Sequence, residues 1–507
     1  MPGRKKHLSI MVSRRAFLGG TFASLAQGAF ALPPEVSRIP LRRPDGFELR
    51  TLPSAAEIIA RANLGGAVSC VVTDANTGEV LEAVNPLLGL PPASVTKALT
   101  TAYALDRLGP GYRFRTQLIA EGTLTNGRLE GDLWLVGGAD PLLDTDALNA
   151  MARDLADAGV REVTGAFRVA HAAIPHVTAI DPDQPGHVGY NPSVSGLNLN
   201  FNRVHFEWQR GANGYSVSMD ARSESLRPPV SVARMQVVDR GAPVYEYQAT
   251  EDREEWSVAR GALGQNGARW LPVRRPHLYA AEVFQVLARS RGIVLETVEP
   301  GTAPPEGARV MAEHVSDPLE DILRGMMRWS TNLTAEVVGL MATQAGGVRP
   351  EGLEQSAAEM GRWMEERFGV RHQHFLDHSG LSEDSRISTR EMVRALVGTG
   401  PNGGLRRLMK NIPILDDQGA PIPDHPVQVV AKTGTLYFVS TLAGFVRAPS
   451  GRDLAFAVFC GDLPRRTTFD PSQEERPPGA RSYNSGAKRL QQELIQRWAL
   501  VHDRTRT

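Results

Sequence analysis

The chain has 507 residues, 42% of them hydrophobic and 22% charged, which are the proportions of an ordinary globular protein with room for two or three domains. Lysine and arginine balance aspartate and glutamate at 56 each. No global field therefore points to nucleic acid or to an anionic membrane surface, and any affinity for charged partners must be local.

A basic start (Arg4, Lys5, Lys6) leads into Ser13-Arg14-Arg15-Ala16-Phe17-Leu18-Gly19 and an apolar run, a pattern that resembles a twin-arginine export signal. Ala29 and Ala31 flank Phe30 in the small-x-small arrangement that signal peptidases cut. Residues 1–31 are therefore expected to be a signal peptide, cleaved after Ala31, that delivers the protein to the periplasm through the twin-arginine export machinery. The alternative is an uncleaved anchor, but residues 16–32 are short for a bilayer span and rich in Gly and Ser.

A Pro/Arg-rich stretch follows over residues 33–53, and then a helix over 54–63 with Ser54 as N-cap and Glu57 three residues on. Residues 66–73 and 79–84 read as strands joined by the turn chemistry of Asp74-Ala75-Asn76-Thr77-Gly78. Cys70 and Cys460 both fall in short β-like runs. A disulfide and two buried free thiols both fit, with free thiols the preferred reading. Pro91-Pro92-Ala93 then opens a helix over 94–108, placing Ser94 at its N-terminus, and Gly109-Pro110 stops it.

From about residue 118 to 309 the pattern changes to short alternating runs (129–136, 163–170, 204–208, 215–219, 230–238), with helical patterns at 146–158 and 276–291. Nearly two hundred residues are too many for a loop, so a β-rich insertion is expected, one module nested in another. The longer helical pattern then resumes with helices at 318–327, 335–345, 351–367 and 388–397, followed by strands at 429–434, 442–447 and 454–460. With the two strands near the start these predict an α+β fold around a five-stranded antiparallel sheet flanked by helices. The main domain is thus split into residues 32–117 and 311–464 around the insertion at 118–310. A polar tail over 465–481, expected to be mobile, and a closing helix over 487–499 make up the last segment, 465–507.

Three strings carry the chemistry: Ser94-Val95-Thr96-Lys97, Ser330-Thr331-Asn332 and Lys432-Thr433-Gly434. Serine is a poor nucleophile without a base in reach, and positions three apart on a helix share a face, which brings the Lys97 amine to the Ser94 hydroxyl. Burial and a second cation, Lys432, would lower the lysine's pKa so that it can accept a proton. Ser330 offers a hydroxyl to relay a proton to the leaving amine, and Asn332 an amide to hold a lysine or a substrate carbonyl. Lys432 can meet a peptide's terminal carboxylate while the peptide adds as a strand along that edge, with Thr433, Gly434 and Thr435 beside it. The backbone N–H groups of Ser94 and Thr435 are the natural oxyanion donors.

Each string also has a bland reading. Ser-x-x-Lys recurs at Ser485-Gly486-Ala487-Lys488, Ser330 and Asn332 could merely cap a helix, and the third string could be an exposed strand end. Their order along one chain is what makes them specific. His372, His374 and His378 lack a metal-ligand pattern, and Gly137-Gly138-Ala139-Asp140 lacks the ending of a phosphate loop, so it reads as a turn. Neither a metal nor an organic cofactor is implied. Asp377-His378-Ser379-Gly380-Leu381-Ser382 reads as a polar loop near the cleft.

Together the three strings, the long insertion between the first two, the Asp377–Ser382 segment, and Leu129-Glu130-Gly131-Asp132-Leu133 with Gly138-Ala139-Asp140-Pro141 resemble the D-alanyl-D-alanine carboxypeptidase/endopeptidase family of penicillin-binding protein 4 type, the low-molecular-mass class C penicillin-binding proteins. The resemblance covers nearly all of the chain after the leader. It implies a β-lactamase/transpeptidase-like fold, with Ser94 as acylated nucleophile, Lys97 as its base, Ser330 and Asn332 as the second catalytic element, and Lys432 as carboxylate anchor. The implied substrates are peptidoglycan stem peptides and their cross-links, and β-lactam antibiotics would acylate Ser94. Two positions depart from the family: Thr331 stands where Asp is usual, and the acid expected near the substrate's diamino-acid side chain has only Asp183 as a candidate. A β-lactamase or serine esterase of the same fold, or a non-catalytic wall-binding scaffold, are the competing readings.

Overall fold

The computed structural model describes residues 52–250, 253–416, 418–469 and 477–503. The expected leader and the stretch up to Thr51 lie outside these residues, as does the middle of the expected polar tail. Helix α1 (Ala55–Ala62) starts at the Ser54 N-cap, whose hydroxyl accepts from Glu57 N while the Glu57 carboxylate accepts from Ser54 N, so the capping box read from the sequence forms. Strands β1 (Ala67–Asp74) and β2 (Val80–Val84) follow, and then helix α2 (Thr96–Leu108).

Beyond the insertion come helices α3 (Leu319–Trp329), α4 (Asn332–Ala345), α5 (Leu353–Phe368), α6 (Thr389–Thr399) and α7 (Gly404–Leu408). Strands β3 (Lys410–Asn411), β4 (Gln428–Leu436), β5 (Val439–Arg447) and β6 (Asp453–Gly461) complete the sheet, and α8 (Ala480–Val501) closes the chain. The sheet order is β3-β4-β5-β6-β1-β2, antiparallel throughout. It has six strands rather than the five expected, because Lys410–Asn411 is too short to show a period of two in sequence yet pairs with β4.

β5 and β6 are buried at nearly every position because helices cover both faces of the sheet, which explains their unbroken apolar runs. On one face α2, α4 and α6 bury a large core with Phe445 and Phe459; on the other α1 and α8 bury Phe456, Trp498 and both cysteines. Cys70 lies opposite Val458, and Cys460 opposite Val68, so the thiols are diagonal neighbours rather than a facing pair. Both are buried and unpaired, and burial pushes each thiol up to about 12.

In the insertion a five-stranded sheet runs Val298–Pro300, Phe167–Ala170, Leu133–Gly137, Arg115–Ala120, Arg309–Val315. Its last two strands pair with each other, so the chain enters and leaves the insertion side by side. Two three-stranded sheets fall between Phe167–Ala170 and Val298–Pro300 in sequence and share one core with the larger sheet, from Leu118 through Val204 and Trp256 to Ala312. Among the described residues no helix is long and apolar enough to cross a membrane.

Candidate active site

The sequence places Ser94 on the first turn of an α-helix; the structure puts it instead in a 3-10 turn (Ala93–Val95), and α2 begins two residues later. Ala93 has φ 48°, and Val95 N donates to Pro92 O at 3.2 Å, so the chain turns too tightly here for an α-helix. The sheet and a loop clamp this turn. Thr441 Oγ1 donates to Pro92 O at 2.7 Å, and Thr96 Oγ1 donates back to Ala93 O at 2.9 Å. A Cβ at Gly434 would strike Thr441 Oγ1 and crowd Pro92 O, and one at Gly380, which has φ +73°, would strike Ala93 O. Glycine at 434 is thus required by packing against the nucleophile's own turn.

Lys97 is fully buried, and its ammonium donates to Ser94 Oγ (2.9 Å), Asn332 Oδ1 (2.7 Å) and Ser379 O (2.8 Å). Lys432 is also buried and donates to Ser330 Oγ (2.9 Å) and to Thr433 O (2.7 Å). Ser330 caps α3 in the left-handed conformation (φ 61°), a strained position for serine that turns the chain between α3 and α4. Neither Ser330 nor Asn332 is the N-cap of α4: Thr331 holds that place and makes no side-chain cap bond, its Oγ1 donating to Thr334 Oγ1 at 2.9 Å. The third string lies within β4, which runs on to Leu436. β3 flanks β4 at Ala431 and Val430 only, so beyond Ala431 no described strand covers that edge, and Thr435 is exposed there. The second Ser-x-x-Lys copy lies on α8 with Ser485 and Lys488 exposed.

The motif reading assigns no role to three groups, though it places the loop of one of them, Asp377, near the cleft. Glu336 is fully buried one helical turn after Asn332, a spacing of four that could have revealed it, and its carboxylate accepts from His378 N and Ser379 N, each at 2.9 Å. Asp377 is buried too and accepts from Ser382 N (2.6 Å) and Gly380 N. Together they shape the Asp377–Ser382 loop so that the Ser379 carbonyl meets Lys97. The third is the Tyr190 carbonyl, which accepts from Asn332 Nδ2 at 2.8 Å and so fixes the amide with its oxygen toward Lys97. Tyr190 belongs to an insertion loop held from beneath by buried Arg274, which donates to Thr178 O (2.9 Å), Asn191 O (2.9 Å) and Gly186 O (2.6 Å).

Burial drives these groups toward neutrality. It pushes Lys97 down to about 8, opposed by the negative charges of Glu336 and Asp377. The sequence suggests that Lys432 contributes to this shift; the effect runs the other way, for Lys432 is lowered to about 6 by its own burial first and then by Lys97 and Lys410. Glu336 is pushed up by burial and by Asp377, and Asp377 by burial, so the charge states of Lys97, Glu336 and Asp377 depend on one another.

Asp183 is exposed on the Tyr190 loop, while Asp181, two residues before it, is buried and held up by burial. Gln184 Nε2 donates to Asp181 at 2.9 Å. His378 is buried against Tyr103 with its Nε2 2.8 Å from Ser356 Oγ, and burial pushes it down to about 3. Gly137 ends a strand, and Gly138–Asp140 continue it as irregular chain rather than the expected turn, with buried Asp140 accepting from Leu142 N at 2.9 Å. Among the described residues the one cluster with metal-ligand geometry is His205, Glu207 and Asp220, and the Arg222 guanidinium already occupies it, 2.8 Å from Glu207 and 2.9 Å from Asp220.

Residues 53–476 match the family described as D-Ala-D-Ala carboxypeptidase 3 (S13). The chain is 24% identical over 437 residues to a D-alanyl-D-alanine carboxypeptidase, DacB, of Haemophilus influenzae, covering 80% of this chain and 89% of that one. It is 28% identical over 436 residues to a D-alanyl-D-alanine carboxypeptidase of an Actinomadura species, covering 78% of each. Among solved structures, penicillin-binding protein 4 of Haemophilus influenzae superposes with a TM-score of 0.70 at 21% identity, over 88% of this chain and all of that one. The same protein complexed with a β-lactam superposes with a TM-score of 0.68.

Proposed function

The chain belongs to the D-Ala-D-Ala carboxypeptidase 3 (S13) family and is a serine-type peptidase; from that premise we propose that it acts in the periplasm, after loss of the leader, on peptidoglycan stem peptides and on the cross-links between them. The observation that carries this reading is the Lys97 ammonium, buried and bonded at once to Ser94 Oγ and to Asn332 Oδ1, 235 positions away in sequence. A base, a nucleophile and an orienting amide at hydrogen-bond distance are what acyl transfer requires.

Substrate lies along the uncovered edge of β4 with its terminal carboxylate at Lys432 and Thr433, and the scissile carbonyl oxygen meets the N–H groups of Ser94 and Thr435. Neutral Lys97 takes the Ser94 proton as Oγ attacks. Ser330, hydrogen-bonded to Lys432, gives its hydroxyl proton to the leaving amine and takes in exchange the proton that Lys97 accepted, so Lys97 is neutral again. The acyl group then rests on Ser94 Oγ until water, deprotonated by Lys97, releases it. A β-lactam enters the same path and stops at the acyl-enzyme. Asp183, exposed on the insertion loop that reaches Asn332, places acid there and suits the cationic end of a diamino-acid side chain.

Release of D-alanine from a stem pentapeptide tests the reading. The parent enzyme is expected to release it and Ser94→Ala to lose at least about a thousandfold in rate; equal release by both would refute the assignment. Rapid turnover of penicillin in place of a persistent Ser94 adduct by mass spectrometry would favour the β-lactamase alternative.

A further inference from the structure

Three imidazoles meet in the insertion, apart from the residues that carry the chemistry. His171 follows the strand Phe167–Ala170, His176 comes soon after it, and His277 stands in the first turn of the helix Pro276–Ser290. The His171 and His277 rings stack with centroids 4.1 Å apart and planes 11° from parallel, and His176 meets both edge-on at 6.1 Å. Parallel rings do not aim their nitrogens at a common point, so the three do not form a metal site as they stand. Nδ1 of His277 is buried with no hydrogen-bond partner among the described residues.

The entrance, exit and support of one loop converge on these rings. Val177 and Val194 exchange backbone hydrogen bonds of 2.9 and 2.8 Å, closing the loop that carries Tyr190. His171 and His176 precede this closure, and Ser195 follows it with Oγ 3.4 Å from His171 Nδ1, while Gly196 N donates to His171 O at 3.1 Å. His176 hydrogen-bonds the backbone of Arg274, the residue that holds the loop from beneath, and His277 lies one turn of chain beyond it. Between the first two histidines, Ala173 O accepts from Gln344 Nε2 at 3.0 Å. One end of α4 thus grips the stem of the loop, and Asn332 at the other end holds Tyr190.

The rings make this stem sensitive to protons. Partial burial pushes all three below their ordinary 6.5, His277 to about 3, and a charge on His171 would oppose protonation of both others. Arg275 adds positive charge at His277, and among the described residues no carboxylate acts on the three. The closed stem therefore favours neutral rings. The stability they lend it is whole above their ordinary 6.5 and is lost as pH falls from there toward 3.

We propose that the three histidines are a proton-operated latch on the Tyr190 loop. Neutral and stacked, they keep the stem closed and so keep the Tyr190 carbonyl on Asn332, whose amide oxygen faces Lys97. Protonated, they separate, the stem opens and the amide is no longer fixed. They are positioning residues, for none touches the reacting groups. The inference rests on the function proposed above and adds to it a shutdown in acid sharper than titration of Lys97 alone provides.

Hydrogen exchange read by mass spectrometry tests the latch directly. Corrected for the intrinsic pH dependence of exchange, peptides covering residues 177–194 of the parent are expected to exchange about a hundredfold faster at pH 5 than at pH 7, while β5 and β6 keep their protection. His277→Phe keeps a ring to stack and has no proton to gain, so it is expected to reduce that rise about tenfold. His171→Phe, from the other side of the stack, should do the same and serves where His277→Phe does not fold. Acylation by a labelled penicillin is the second readout: below pH 5 the parent rate should fall by more than about one decade per pH unit, and the variants' by about the one decade due to Lys97. Equal loop exchange at both pH values, a rise as large in the variants as in the parent, loss of β5 and β6 protection together with the loop's, or a parent slope of one decade would each overturn the latch and leave the peptidase reading standing. A parent that penicillin acylates at no pH would overturn the proposed function, while the exchange measurement would still decide the latch.

Discussion

On the cleft side of the main sheet Glu336 is buried near Lys97 and pushed upward; on the opposite side Glu82 of β2 is half-buried beside Arg497 and pushed down to about 2. For both, burial is the largest influence and works against the charge. The difference is in the donors. Glu336 receives two backbone N–H groups and no fixed cation at contact distance. Glu82 receives Ala55 N at 2.9 Å, Trp498 Nε1 at 3.0 Å and the Arg497 guanidinium, with His502 Nε2 3.9 Å away, and together these outweigh burial. The donors at Glu82 come from the start of α1 and the end of α8, so that carboxylate is a clasp holding the two terminal helices on the sheet. A carboxylate with surplus donors is a structural tie, and one with too few is poised to exchange a proton.

Variants that exchange the two conditions would break or sharpen that comparison. The largest effect is expected from Lys97→Met, which removes the base: acylation of Ser94 by a labelled penicillin should slow by about 10³–10⁴-fold. The variant should keep a cooperative thermal transition, since a buried charge is exchanged for an apolar chain of similar length. Collapse of the transition would mean that Lys97 is a tie like Glu82.

The next effect concerns pH. Lys97 is lowered to about 8, so kcat/KM for pentapeptide should climb with pH through that value as the neutral amine forms. Glu336 holds Lys97 up, so Glu336→Gln should move this limb to lower pH by about one unit. A limb that stays in place would detach Glu336 from the charges that set the Lys97 pKa.

The smallest effect is on stability. The Glu82 carboxyl is lowered in the folded state from its ordinary value of 4.5, so its contribution is present above that pH and is lost as pH falls toward 2. Glu82→Gln should therefore cost about 1 kcal/mol near neutral pH, after discount for partial exposure, and should make the acid limb of the unfolding curve shallower. Denaturant melts at pH 7 and pH 3 would show this, and a loss of equal size at both pH values would contradict it.

What the sequence reveals of this arrangement follows from the range of each interaction. Ser54 and Glu57, three residues apart, announce their capping box, and the apolar runs of β5 and β6 announce central strands. The three strings are legible as residue types because each is local, and the structure gathers Ser94, Lys97, Ser330, Asn332 and Lys432 through bonds of 2.7–2.9 Å. The 3-10 turn at Ser94 is not legible, because it is imposed by Thr441 and the Gly380 loop, both far along the chain. The Tyr190 carbonyl carries no residue-type signal, since any amino acid could supply it. Lys410–Asn411 escapes notice as a strand because two residues cannot display a period.

The topology of the sheet has one last consequence. β1, near the front of the chain, takes its place against β6, with Val68 opposite Cys460, and the nucleophile's turn leans on β4 and β5. The hydrolytic apparatus consequently cannot be assembled in part while synthesis is under way, for the latest-made strands complete the cradle of the earliest-made catalytic group. Maturation should be abrupt and late, in keeping with the slow closure expected for contacts so distant along the backbone.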